Sequence, residues 1–129
     1  MNKKLRNQKG SASMEFALGA ALVLTPLLLG MTDFSRYLNV DHVISRAAHE
    51  GAFTASRGTD PSSVVKTYVT QAGLDAAKVT VVLSPVLSTA SRGDAMKVTV
   101  SYNLTDYALA SWGTLFPKNV SSVATARHE

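Results

Sequence analysis

Residues 9–31 read KGSASMEFALGAALVLTPLLLGM, and this stretch decides how the rest of the chain is arranged. One carboxylate, Glu15, stands at the head of an almost uninterrupted apolar run from Phe16 to Met31. A short basic segment without acidic residues precedes Gly10. Because a carboxylate at the edge of a membrane-length segment is unfavourable unless something uses it, we expect Glu15 to have a specific role.

The apolar run is predicted to be a membrane anchor. It contains about 16 residues, whereas about 20 are usually needed to cross the hydrocarbon core, so the span should extend over about residues 14–33. Basic residues before an apolar run stay on the cytoplasmic side, which places the C-terminal part of the chain outside. Pro26 is expected to kink the helix. The side chains expected to form the anchor are those of Leu18, Leu22, Pro26 and Leu28.

A cleavage site is predicted before the anchor. An ordinary signal peptide ends in a small-residue pattern of the Ala-x-Ala type after its apolar region. Residues 29–34 read LGMTDF and lack that pattern. Cleavage after Gly10, with Ser11 as the new N-terminus, fits the sequence better and makes residues 1–10 a leader.

The anchor is predicted to continue outward as one long helix. Apolar or small residues recur at spacings of three and four, which marks one helix face. These residues are Tyr37, Val40, Ile44, Ala47, Gly51 and Ala55. The helix should therefore cover residues 11–57, with a total length of roughly 70 Å at the usual rise per residue. The residues on this face become small toward the C-terminal end of the helix, so another element should pack closely against that end.

Residues 58–129 are predicted to form an α+β head. Asp60 and Pro61 are typical of a helix start, and Gly73 of its end. Strict alternation then predicts strands over 79–84 and 96–104, with a weaker one over 120–127. We expect a long N-terminal helix, transmembrane and then amphipathic, a short second helix, and a small three-stranded antiparallel sheet packed on the outer half of the long helix.

The connection over residues 107–117, YALASWGTLFP, is unusually apolar for a loop. It is expected to cover the sheet or to meet a partner or the membrane surface. Trp112 is the candidate partner contact within it.

Composition argues against several functional classes. The formal net charge is +4, but the excess of positive charge lies in the leader rather than on the head, so nucleic-acid binding is not expected. The chain has no cysteine. Its three histidines lack zinc-ligand spacing, so neither a metal nor another cofactor is expected. Without a serine-hydrolase elbow or a phosphate-binding loop, we expect no enzymatic activity and no catalytic residues.

The N-terminal part of the chain resembles the TadE-like pseudopilins, minor pilins of the tight-adherence (Tad) pilus in the type IV pilin superfamily. The resemblance rests on Gly10, on Glu15 with Phe16, on the leucine-rich run with Pro26, and on the segments DFSR and AAHEGA at 33–36 and 47–52. It covers about the first 56 residues. The chain departs from the family pattern at His49 and Phe53, where such proteins often carry arginine.

The resemblance implies that a prepilin peptidase cleaves this chain after Gly10. It also implies that Glu15 and Phe16 act in assembly, with Glu15 neutralising the terminal amine of an adjoining subunit. The implied partners are other pilin and pseudopilin subunits and the inner-membrane assembly platform, and the implied roles are pilus biogenesis and adhesion. The chain would lie in a bacterial inner membrane with a periplasmic head, or be incorporated in an extracellular pilus.

Two alternatives remain open from the sequence. The first is an inner-membrane-anchored periplasmic binding module that is neither cleaved nor polymerised. The second is the major pilin itself, although major Tad pilins are typically shorter and have almost no head.

Overall fold

The computed structural model describes residues 4–106, 115 and 117–129, with side chains from residue 10 onward. It confirms the predicted α+β class. Two helices are followed by a short 3-10 turn, Ala76–Lys78, and three strands. The helices are α1, Lys4–Ser56, and α2, Pro61–Gln71; the strands are β1, Val79–Ser84, β2, Ala95–Asn103, and β3, Asn119–Arg127.

Helix α1 is longer at its start than the sequence predicted. It begins at Lys4, inside the segment interpreted as a leader, and contains 53 residues, which corresponds to a length of about 80 Å. Pro26 lies within it, and the helix continues on both sides. Its end at Ser56 is one residue from the predicted position.

Both helices stop at a glycine in the left-handed region. Gly58 has a φ of 76° and Gly73 a φ of 82°. After α1, the N–H of Gly58 donates to the carbonyl of Ala55 at 2.9 Å, and that of Thr59 donates to Thr54 at 3.3 Å. This pattern is the Schellman motif, which satisfies carbonyls left open by the helix end.

The start of α2 depends on Asp60. Its side chain accepts a hydrogen bond from the N–H of Ser62 at 3.0 Å, and Pro61 occupies the first helical turn. That bond stabilises the ionised carboxylate and holds the pKa of Asp60 below its ordinary value of 3.8, with smaller contributions from the Ser62 hydroxyl and Lys66.

We expect Asp60→Ala to lower the urea midpoint for unfolding of the head near neutral pH, because a cap is lost. Folding lowers the pKa of Asp60, so the stabilisation is present above 3.8 and disappears as the pH falls through the lower, folded-state value. The difference in midpoint from wild type should therefore shrink in acid. Asp60→Asn, which keeps an uncharged cap, is the control; a difference that is constant with pH would contradict the assignment.

The sheet is antiparallel, with β2 between β1 and β3. Alternate side chains of β2 point to the core, and those of Met96, Val98 and Val100 are fully buried. The end of β3 is joined to the end of α1, because the N–H of Glu129 donates to the carbonyl of Ser56 at 3.0 Å. Nδ1 of His128 lies 2.9 Å from the same carbonyl oxygen.

The core lies between the sheet, α2 and the outer half of α1, as predicted. The buried face of α1 is wider than predicted, since Ala48 and Ala52 are buried beside Ala47 and Ala55. Gly51 is the point of closest approach. A Cβ placed there would lie 2.9 Å from Cγ2 of Val65 and 3.2 Å from Cγ1 of Val98.

Candidate functional site on helix α1

The N-terminal half of α1 carries the predicted site residues and makes little contact with the head. Its side chains are exposed along almost the whole stretch from Gly10 to Met31. Large apolar side chains are included, such as Phe16, which is 79% exposed, and Leu22, which is 70% exposed. Such a surface needs an apolar environment outside the chain, either lipid or other helices.

Gly10 and Ser11 lie in helical backbone and are exposed. A Cβ on Gly10 would meet no heavy atom within 4 Å in the described part of the chain. Glycine in a helix interior is about 1 kcal/mol less favourable than alanine, so Gly10 lowers the intrinsic stability of the helix at this position. The peptide bond after Gly10 is thus exposed and lies outside the packed head.

Glu15 and Phe16 follow within the next two turns. Glu15 is exposed and is one helical turn from Ser11, at a spacing that places the two on one helix face. Phe16 points to the neighbouring face. The predicted cleavage after Gly10 would leave the terminal amine of Ser11 one helical turn from the carboxylate of Glu15.

The anchor residues lie beyond Glu15, and their side chains are exposed. Leu18 is 67% exposed and Leu28 is 61% exposed. An 18-residue window of this helix has a mean hydropathy of 1.8, and none of it is buried within the described part of the chain. The helix is therefore long and apolar enough to span a membrane, which is consistent with membrane anchoring.

A shallow apolar groove lies on α1 at Pro26. Its lining side chains are those of Val23, Pro26, Leu27, Gly30, Met31 and Phe34. Gly30 leaves room between larger neighbours, so another helix could approach closely here. The predicted small patch at Gly19 is equally open, since a Cβ on Gly19 would meet no described atom within 4 Å.

Sequence reasoning missed the burial of Asp33. This side chain is 5% exposed, although the adjacent Phe34 is 52% exposed. The signal that could have revealed it is spacing, because Asp33 stands four and seven residues before Tyr37 and Val40 on the same helix face. A buried side chain thus lies on α1 at the position where the predicted membrane span ends.

Trp112 lies outside the described residues, as does most of the 107–117 connection. Its proposed contact with a partner stays a prediction.

The other predicted residues, Gly10, Ser11, Glu15 and Phe16, lie together near one end of α1.

A family model described as TadE-like protein matches residues 10–52. No curated protein and no solved structure matches the chain. The matched part begins at Gly10, includes the whole exposed apolar half of α1, and ends one residue beyond Gly51. It connects the chain with the Tad pilus and its components in general. The resemblance of this N-terminal part of the chain to TadE-like proteins is thereby confirmed over residues 10–52.

Proposed function

We propose that this chain is a minor pilin, or pseudopilin, of a Tad-type pilus. In this proposal a prepilin peptidase removes residues 1–10. Before assembly, the mature chain is anchored in the bacterial inner membrane with its head in the periplasm. It then associates with other pilin subunits at the assembly platform, and contributes to pilus biogenesis and adhesion. The observation that carries the proposal is the TadE-like match, which begins at Gly10 and includes the exposed apolar half of α1.

The division of α1 into two halves supports a subunit of a fibre. From Val40 onward one face is buried by the head, and Val40, Ile44 and Ala47 are fully buried. From Phe16 to Met31 the helix instead exposes large apolar side chains around its circumference. A helix that is apolar all round is buried in lipid or in a bundle of helices. The same surface can therefore serve first as an anchor and later as a contact with neighbouring subunits.

The charge of Glu15 supports a role in ordering those contacts. In a low-dielectric bundle, a carboxylate without a cation costs several kcal/mol, and so does an unpaired amine. In this proposal, cleavage exposes an amine on Ser11, which forms an ion pair with the carboxylate of Glu15 on an adjoining subunit. The pair forms only when the two helices have one particular displacement along their axes. Pairing thus selects the register between neighbouring helices.

The proposal predicts that Glu15→Gln is processed but fails to enter pili. The amide keeps the size of the side chain and removes the charge that would neutralise the neighbouring amine. We expect the cleaved chain at wild-type levels in membranes and a loss of at least about tenfold in the sheared-pilus fraction, a loss that corresponds to about 1.4 kcal/mol. Quantitative immunoblots of both fractions provide the measurement.

Thr25→Gln, which places the same amide in the middle of the apolar run, is the matched control for a polar group on this helix. It retains Glu15 and should preserve the register. If Glu15→Gln entered pili as well as wild type, the assembly role of Glu15 would be wrong. If the wild-type chain stayed in the membrane uncleaved, the anchored binding module would be the better account.

A further inference from the structure

Strand β3 is at an edge of the sheet, and the hydrogen bonds at its two ends show which of its backbone groups face outward. The N–H of Leu104 donates to the carbonyl of Lys118 at 2.8 Å. The N–H of His128 donates to the carbonyl of Asp94 at 2.9 Å. In an antiparallel pair, hydrogen-bonded residues alternate with residues whose backbone groups point away from the other strand. Given the register of β2 and β3, both bonds assign the even-numbered residues of β3 to β2, so the N–H and C=O groups of its odd-numbered residues point to the open edge.

The middle of this edge carries nothing that would block another strand. Ser121 and Thr125 are exposed, and Val123 is 49% exposed. Within the described part of the chain, no residue forms a hydrogen bond with the outward backbone groups of these three residues. Edge strands are usually protected by charged residues, proline or a bulge, but residues 119–126 contain no charge and no proline, and their register with β2 is continuous. An open edge of this kind can add an extended segment as a further strand.

The charges beside the edge indicate which kind of segment fits it. Lys97 and Arg127 are exposed on the outer face of the sheet. Lys97 is opposite Thr125, so the two cations are diagonal neighbours on β2 and β3. Among the residues that the structure describes, neither cation forms a salt bridge. A segment that carries a carboxylate next to Arg127 would therefore neutralise a pair of like charges.

A second copy of this chain does not provide such a segment. The other edge strand is β1, and neither β1 nor β3 contains an acidic residue. Two β3 strands paired antiparallel would be related by a two-fold axis perpendicular to the sheet. Helix α1 lies along the face of the sheet, since a Cβ on Gly51 would be 3.2 Å from Cγ1 of Val98 and the carbonyl of Ser56 accepts a hydrogen bond from Glu129. The axis would therefore reverse α1 and direct the two anchors to opposite sides, which one membrane does not allow.

We propose that the open edge of β3 binds an extended segment of a different protein chain, which becomes the fourth strand of the sheet and places a carboxylate beside Arg127. Backbone hydrogen bonds to residues 121–125 hold the segment, and the carboxylate sets its register. The role of that chain as a pilus component rests on the proposed function, whereas the edge itself does not depend on it. The contact is separate from the one proposed for Glu15.

Hydrogen exchange of the full chain in detergent micelles, followed by NMR, tests the edge. The probe is the peptide EVSSVATAR, which is the β3 sequence with glutamate in place of Asn119. Paired antiparallel about Val123, it places the glutamate opposite Arg127. We expect saturating peptide to slow the exchange of the Val123 and Thr125 amides severalfold, and to leave that of Ala124, which is already bonded to β2, unchanged. The matched peptide KVSSVATAR should bind at least about threefold more weakly, because like charges would then be opposite each other.

Two variants separate the backbone contact from the charge contact. Val123→Pro removes an outward N–H that the sheet does not use, and edge strands tolerate proline in this orientation. It should weaken peptide binding at least tenfold, whereas Val123→Ala, which keeps the N–H, should bind like wild type. Slow exchange of the Val98 amide shows that the head of each variant is folded. Arg127→Glu retains the edge and should remove the preference for the glutamate peptide.

The outcomes distinguish the edge contact from its alternatives. Exchange at Val123 that neither peptide slows would overturn the edge contact, and equal affinity of wild type for the two peptides would overturn the assigned charge. Slow exchange at Val123 that appears without peptide as the protein concentration rises would assign the edge to a second copy, and would also overturn the proposal. Peptide binding by a chain that cells never cleave would support the edge contact and overturn only the pilin role.

Discussion

Gly51→Leu is expected to destabilise the head by about 3 kcal/mol or more, the largest stability effect of any single substitution considered in this chain. Even a single Cβ at this position would lie 2.9 Å from Cγ2 of Val65. Val65 is fully buried and β-branched, so it cannot rotate away freely. Val98 closes the other side at 3.2 Å. The sheet and α2 must therefore move off α1 together.

The measurement is hydrogen exchange of the β2 amides in the full chain, in detergent micelles. Glu50→Leu adds the same side chain at the adjacent exposed position and should leave exchange nearly unchanged. Gly51→Ala should cost less than Gly51→Leu, because alanine favours the helix by about 1 kcal/mol and offsets part of the clash. The double variant with Val65→Ala and Gly51→Ala should lose less stability than the sum of the losses in the two single variants. Equal exchange in Gly51→Leu and Glu50→Leu would refute the close approach.

Gly10→Ala is expected to abolish removal of the leader, the largest functional effect. Alanine strengthens the helix where cleavage requires it to open, and adds a methyl group at the residue that the peptidase must accept. The surroundings are open, so the substitution does not disturb the head. In cells that contain the peptidase, the variant should accumulate at the mobility of the uncleaved chain.

Gly19→Ala is the matched control for this variant. Gly19 is also an exposed helical glycine of α1, with open space where a Cβ would be. Both variants therefore gain helix propensity alike, and only the first alters the predicted cleavage position. Cleavage of Gly10→Ala at the wild-type rate would contradict the predicted role of Gly10 in cleavage.

Most of the fold could be predicted from the sequence because local signals agree with the tertiary structure. Gly58 and Gly73 end the two helices with positive φ values, which favour glycine. Asp60 caps α2 by accepting a hydrogen bond from the N–H of Ser62, only two residues away. Alternation placed β1 between residues 79 and 84 as the structure has it. These signals depend on residues a few positions apart.

The remaining features depend on contacts between distant residues, which a local pattern does not report. Alanine occurs on both exposed and buried helix faces, so the sequence pattern did not indicate that Ala48 and Ala52 are buried. The contact of His128 with Ser56 joins residues 72 positions apart. Aspartate is a residue type that usually lies in solvent, yet Asp33 is buried.

The candidate site was predicted by motif rather than by packing. Gly10, Glu15 and Phe16 are exposed in the isolated chain, and their proposed partners are other molecules. Their spacing could therefore be read from the sequence, whereas the contacts they make depend on a peptidase and on neighbouring subunits. Processing at Gly10 and assembly through Glu15 therefore stay predictions, which the variants at these two positions test.

N-terminal sequencing of the wild-type protein, taken separately from sheared pili and from membranes, tests the central claim most directly. The proposed function predicts Ser11 as the first residue in both fractions. A chain that begins at Met1 in the membranes and is missing from the pili would contradict it.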